Sequence, residues 1–183
     1  EQDIVIKSRF IASADISTCF PSVYSHSIAW SLVGKNYAKI NKNPTNWFNQ
    51  IDYYTRNVKF GETNGLLIGP HASNLLSEII LVAVDFELLN QGFKYIRNID
   101  DYTCYVNSFE ESDRFFLTLS EELKKYELSL NSKKSKTIPL PKASVKNWVS
   151  KLNHFNFTNT YIVNGKEAIR VKELKGFLDF AIE

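Results

Sequence analysis

The stretch "RNIDDYTCYV", residues 97–106, sets two aspartates side by side, Asp100 and Asp101, between runs of strand-forming residues. Tyr-, Ile-, Thr- and Val-rich segments on both sides of a short polar break read as a β-hairpin over residues 93–106. A solvated turn is one reading of the acidic pair, because Asp is at home in turns. A metal site is the other, since a divalent ion cancels the repulsion that otherwise drives one carboxylate's pKa upward. The dipeptide alone leaves both open.

The segments around the hairpin mix helices and strands. "RFIASADIS" (9–17) reads as a strand ending near Asp15, and "SHSIAWSLVG" (25–34) as a helix with Ser25 as its N-cap and Gly34 at its C-terminal side. "KNYAKINKNP" (35–44) reads as a polar loop, and "TNWFNQIDYYTRNV" (45–58) as a helix capped by Thr45. A glycine-punctuated loop, "GETNGLLIGP" (61–70), leads into "SNLLSEIILVAVDFELLN" (73–90), the strongest helix of the chain and too apolar to lie on a surface. Ser108 with Glu111 three residues on marks the start of an amphipathic helix over 108–128. "LSLNSKKSKTIPL" (128–140) reads as a loop entering a short strand, "ASVKNWVSKLNHF" (143–155) as a helix, and Asn164-Gly165 as a hairpin turn. The class is α+β with antiparallel pairing.

The totals narrow the field. With 183 residues, 44% of them hydrophobic, there is enough material for one packed domain and a small appendage. The longest apolar run, "IILVAV" (79–84), stops at Asp85, so no membrane partner is expected. Two cysteines far apart, Cys19 and Cys104, form no metal or disulfide spacing and fit a reducing cytoplasm. A chain that begins at Glu1 and contains no methionine reads as a piece of a longer one. Charge is uneven: residues 121–176 hold twelve Lys and Arg against five Asp and Glu. Such an excess suits a nucleic-acid face or a solvated surface.

If the strand ending at Asp15 lies beside the hairpin, Asp15, Asp100 and Asp101 converge. Hard oxygen donors suit Mg²⁺, which is readily shared with substrate phosphates. A pair of such ions stabilises the attacking and leaving oxygens of an in-line phosphoryl displacement.

Four stretches in order carry the case further: "ADISTCFPSVYSHSIAWSLVGK" (14–35), "GLLIGPHASNLLSEIILVAVD" (65–85), "YIRNIDDY" (95–102) and "ELSLNSKKSKT" (127–137). Together they resemble the palm motifs A to D of reverse transcriptases. The "YSHSIAWSLVGK" tail and the "IGPHAS" loop are most similar to the bacterial abortive-infection (Abi-like), defence-associated group, relatives of retron and group II intron enzymes. The resemblance implies a right-hand palm over residues 1–141 that lacks most of the fingers. It implies a basic segment over 142–183 that begins a thumb or helical appendage.

It also implies roles. Asp15 and Asp100 resemble the two metal ligands, Asp101 the auxiliary acid, and Ile16 the residue whose backbone carbonyl joins the coordination. Phe20 is similar to the aromatic gate that excludes a ribose 2′-hydroxyl, with core packing as its plainer role. Gly69 and Pro70 resemble the turn beneath the nascent base pair, and Ser73 the serine opening the long helix, otherwise an N-cap. Ile68 departs from the glutamine common at that position. Lys134 resembles the lysine that protonates pyrophosphate, with Lys133 and Lys136 competing for the alignment. Arg97 stands where it balances the acidic pair or touches primer phosphate, and Lys133, Lys142 and Lys146 are candidates for nucleic-acid contact.

The implied activity is RNA-directed DNA synthesis from dNTPs with two Mg²⁺ ions, Mn²⁺ substituting, on an RNA or DNA template-primer, in anti-phage defence. The fragment by itself is expected to be inactive. The alternatives are untemplated, protein-primed DNA synthesis and a silent nucleic-acid-binding module. A homo-oligomer stays open.

Overall fold

A computed structural model describes residues 8–140, 157, 160–163 and 165–182. These residues fall in two compact units, one ending at Leu140 and one beginning at Pro141.

In the first unit, four strands form an antiparallel sheet in the order β2-β3-β1-β4. They are β1 (Phe10–Asp15), β2 (Tyr95–Asn98), β3 (Asp101–Val106) and β4 (Lys136–Pro139). Among the described residues six helices accompany them: α1 (Cys19–Ser22), α2 (Ser25–Val33), α3 (Lys35–Ile40), α4 (Trp47–Asn57), α5 (His71–Asn90) and α6 (Phe109–Lys125). Alternation sets the sheet's inner face. Ala12 and Ala14 of β1 and Tyr102, Cys104 and Val106 of β3 are buried against Ile80, Leu81, Val84 and Leu88 of α5 and Phe115, Leu119 and Leu123 of α6. This is the α+β sheet backed by helices that the sequence predicts. In the second unit, β5 (Thr160–Val163) and β6 (Lys166–Ile169) form the expected hairpin, Gly165 taking the positive φ its turn needs, and α7 (Val171–Ile182) follows.

Several local expectations are corrected. Residues 35–44 are not all loop, because α3 forms where Ala38 packs into a small core with Ala29, Trp30 and Phe48. Ser25 does not cap α2 but is its first residue, and its backbone N–H donates to the Thr63 carbonyl at 2.8 Å. Thr45 does not cap α4; Asn46 holds that place, while Thr45 donates to the Asn43 side chain. Ser73 does not cap α5, which opens at His71, and lies buried in its first turn. Nor is α5 sheathed all round, since Leu75, Val82, Phe86 and Leu89 are exposed opposite its buried face. The Ser108 cap does form, its hydroxyl accepting from the Glu111 N–H at 3.2 Å while Glu111 accepts from the Asn107 N–H at 2.8 Å. The helix expected over 143–155 lies outside the described residues.

Candidate active site

The carboxylates meet through strand register. Asp15 ends β1 and pairs across the ladder with Asp101, the first residue of β3. The two-residue turn Ile99-Asp100 joins β2 to β3, closed by the Asn98–Asp101 pair. The Ile16 N–H donates to the Asp100 carbonyl at 3.2 Å, so the end of β1 is fastened to the tip of the hairpin. Ile99 holds φ 57°, a region that a β-branched side chain adopts at a cost of about 1–2 kcal/mol.

That strained tip is held by Arg97. Its guanidinium donates to the Ile99 carbonyl at 2.9 Å, to Glu78 at 2.9 Å and to Asp85 at 2.6 Å. Glu78 and Asp85 sit two turns apart on α5, so one arginine ties helix, strand and turn together. The donors of Arg97 are thus engaged on Glu78, Asp85 and Ile99. The Tyr95 hydroxyl adds a bond to Asp85 at 2.8 Å. Cys19 lies buried near Asp100 and Asp15, and burial pushes its thiol up to about 12, with the Asp100 charge adding to the shift. Cys104 is likewise raised to about 12 by burial, so neither sulfur is a nucleophile at neutral pH.

Asp15 is only 6% exposed, and its partners come from the β4 side. Lys134 Nζ donates to Oδ1 at 3.2 Å, and Asn131 Nδ2 donates to Oδ2 at 3.0 Å. Asn131 also donates its backbone N–H to the Asp15 carbonyl at 2.8 Å, and its own carbonyl accepts from Lys134 and Ser135. Asn131 therefore shapes the turn that delivers Lys134. Sequence reading passed over it, although an Asn followed by Ser and two lysines is a turn signal. Lys133 is exposed, its N–H donating to the Asn131 side chain at 3.2 Å.

Burial, then the neighbouring Asp100 and Asp15, raises the Asp101 carboxyl above the usual range, while Lys134 pulls it back. Crowded hard-oxygen donors, one already facing an ammonium, fit a divalent cation in chemistry. Among the described residues, however, no three His, Cys, Asp or Glu side chains stand as a ready-made metal-holding set.

The remaining candidates lie on neighbouring segments. Phe20 sits in α1 directly after β1, half-buried against the core, and its carbonyl accepts from the Leu66 N–H at 2.7 Å. Gly65 makes that docking tight: a Cβ there would meet the Pro21 carbonyl oxygen at 3.0 Å. Gly69 is different, since its φ of 114° calls for glycine while the space around it is open. Pro70 and Ser73 border a cavity of about 100 Å³ against Thr55 of α4 and Val58 just past its end, and no carboxylate of the cluster lines it. Ile16 is buried at the strand end, and Lys142 and Lys146 lie outside the described residues.

The chain matches the reverse transcriptase (RNA-dependent DNA polymerase) family over residues 1–158. Among solved structures it is similar to that of apo telomerase from Candida tropicalis, with 13% identity and a TM-score of 0.51 over 92% of this chain and 33% of that one. It is also similar to the same telomerase truncated from its C-terminal domain, with 15% identity and a TM-score of 0.50 over 92% and 36%. At such identities the likeness is one of fold, and the chain spans about a third of the length of these structures. No curated protein matches the chain.

Proposed function

The chain belongs to the reverse transcriptase (RNA-dependent DNA polymerase) family, and on that premise we propose that it is the palm of an RNA-directed DNA polymerase that adds dNTPs to a 3′-hydroxyl. The observation that carries this reading is the register that sets Asp15 opposite Asp101, with Asp100 in the adjoining turn. Asp15, Asp100 and Asp101 would hold two Mg²⁺ ions, with the Ile16 carbonyl beside them. Bound there, the ions supply electrostatic stabilisation of the attacking and leaving oxygens.

The chain's own residues supply the rest. Asn131 and Arg97 fix the two sides of the cluster, and the Lys134 ammonium would give a proton to the pyrophosphate leaving group. Phe20 closes the space beside the sugar, and the Gly69-Pro70 turn with Ser73 shapes the floor under the base. Template-primer is the nucleic-acid partner, and residues 142–183 begin a thumb or appendage. The "YSHSIAWSLVGK" and "IGPHAS" stretches support placement in the Abi-like group and hence a role in anti-phage defence.

A second reading, untemplated DNA synthesis, is favoured by one observation. Ile68 stands where many reverse transcriptases have glutamine, and it is 78% exposed rather than buried as packing. Labelled dNTP incorporation by the intact protein in Mg²⁺, with and without an RNA template, separates the two. Template-dependent product supports the first reading and template-free product the second. Product that survives Asp100→Ala refutes both.

A further inference from the structure

Away from the carboxylates, α2, α3 and α4 enclose a cavity of about 420 Å³, a size typical of small-molecule sites. Its wall carries three permanent cations, Lys39, Lys42 and Arg56, against one carboxylate, Asp52. That carboxylate is 5% exposed and already engaged, with His26 Nδ1 at 2.7 Å and Arg56 Nε at 3.4 Å from Oδ2. The field in the cavity is therefore positive and suits an anion.

The anion's body is specified by the other lining. Trp30 and Tyr24 stand edge to face with ring centroids 5.5 Å apart, and Tyr53, half exposed, completes an aromatic wall. His26 Nδ1 is held 2.7 Å from Asp52 Oδ2, which leaves Nε2 for a polar atom of the guest. A phosphate joined to a flat aromatic base suits both the cations and the aromatic wall.

The rim is built rather than loose. Asn49 Nδ2 donates to the carbonyls of Asn41 and Asn43, both at 2.8 Å, and Asn46 Nδ2 donates to Asn41 at 3.3 Å. These bonds fix the loop that carries Lys42. The surrounding surface has the same character, because residues 35–59 contain five Lys and Arg against the single Asp52. Tyr37, Trp47 and Tyr54 are exposed among them. Basic side chains interleaved with exposed aromatics are the pattern of single-strand binding.

We infer that this cavity is a nucleotide site separate from the carboxylate cluster, taking the base against its aromatic wall and the phosphate on Lys39 and Lys42. The guest is either a free mononucleotide or one unpaired nucleotide of a strand, and the chemistry of capture is the same.

The test uses the full chain carrying Trp47→Phe and Trp148→Phe, which leaves Trp30 as the one tryptophan of the three. Its fluorescence is titrated in EDTA, so the metal-dependent cluster is silent, with GMP, with an unstructured RNA ten-mer and with inorganic phosphate. Saturable quenching by GMP assigns the site to free nucleotides, and quenching by the RNA alone assigns it to a strand. Either must weaken at least tenfold in Lys39→Glu/Lys42→Glu, two exposed positions whose change leaves the fold intact, and in Asp52→Asn. Quenching by neither nucleotide probe, quenching matched by phosphate, or quenching unchanged in the double lysine variant would overturn the inference.

Discussion

The strand ends that carry the carboxylates and the α2–α4 cavity are built on opposite plans. At the strand ends, carboxylates are driven together by backbone register, and the cost appears as the raised Asp101 carboxyl and the positive φ of Ile99. In the cavity, cations gather around one buried carboxylate, and side chains on three helices and a pinned loop do the placing. The first arrangement asks for a cation and the second for an anion. Strain at a functional turn is expected where the surrounding structure holds it in place, and Arg97 is what holds it.

The comparison breaks if the two regions fail together. Asp100→Ala should cost at least about 10³-fold in nucleotide incorporation by the intact protein while leaving the urea midpoint unchanged, because the side chain serves chemistry and not packing. A matched loss of stability would mean that the turn, rather than the charge, was removed. Arg97→Ala should do the reverse in kind. It strands Asp85 beside β2 and frees the hairpin tip, lowering stability by about 2 kcal/mol, a buried-pair cost reduced because Glu78 is half exposed. Urea denaturation measures it, and a change under about 0.5 kcal/mol would remove Arg97 from its positioning role.

Phe20→Val sharpens the picture of the sugar side. It should raise ribonucleotide use relative to deoxynucleotide use by roughly tenfold, read as a ratio of kcat/KM values. No change in the ratio would leave Phe20 as packing. The smallest effect is on pH dependence. The hydrogen bond from Arg97 holds the Glu78 carboxyl below the usual carboxylate range. A lowered acid contributes stability that is present above its unfolded value and lost as pH falls through its folded one. The Tm difference between the native chain and Glu78→Gln should therefore be present at about pH 6 and vanish toward about pH 3. A difference that grows on acidification would contradict the ion pair.

Legibility in the sequence follows range. The hairpin, β1 and α6 could be read because period-two alternation, paired turn residues and a capping box are local signals. The convergence of Asp15 with the acidic pair required a guess that two distant strands are neighbours, and the order of four motifs supplied it. The partners of Arg97 were not legible, because its acceptors lie 12 and 19 residues upstream on α5, where nothing local announces them. The helix α3 was missed for a related reason, since "KNYAKI" is polar and its one buried anchor, Ala38, matters only once Trp30 and Phe48 are beside it. His26 carried no chemistry until Asp52, 26 residues away, was found against it. Tertiary contacts, not propensity, decide such positions.

The central claim is that Asp15, Asp100 and Asp101 form a divalent-cation site, and counting bound Mn²⁺ by electron paramagnetic resonance with dNTP present tests it most directly. The account predicts two bound ions per chain in the native protein and loss of binding in Asp15→Asn and in Asp100→Ala, both folded. Mn²⁺ binding unchanged in both variants would contradict it.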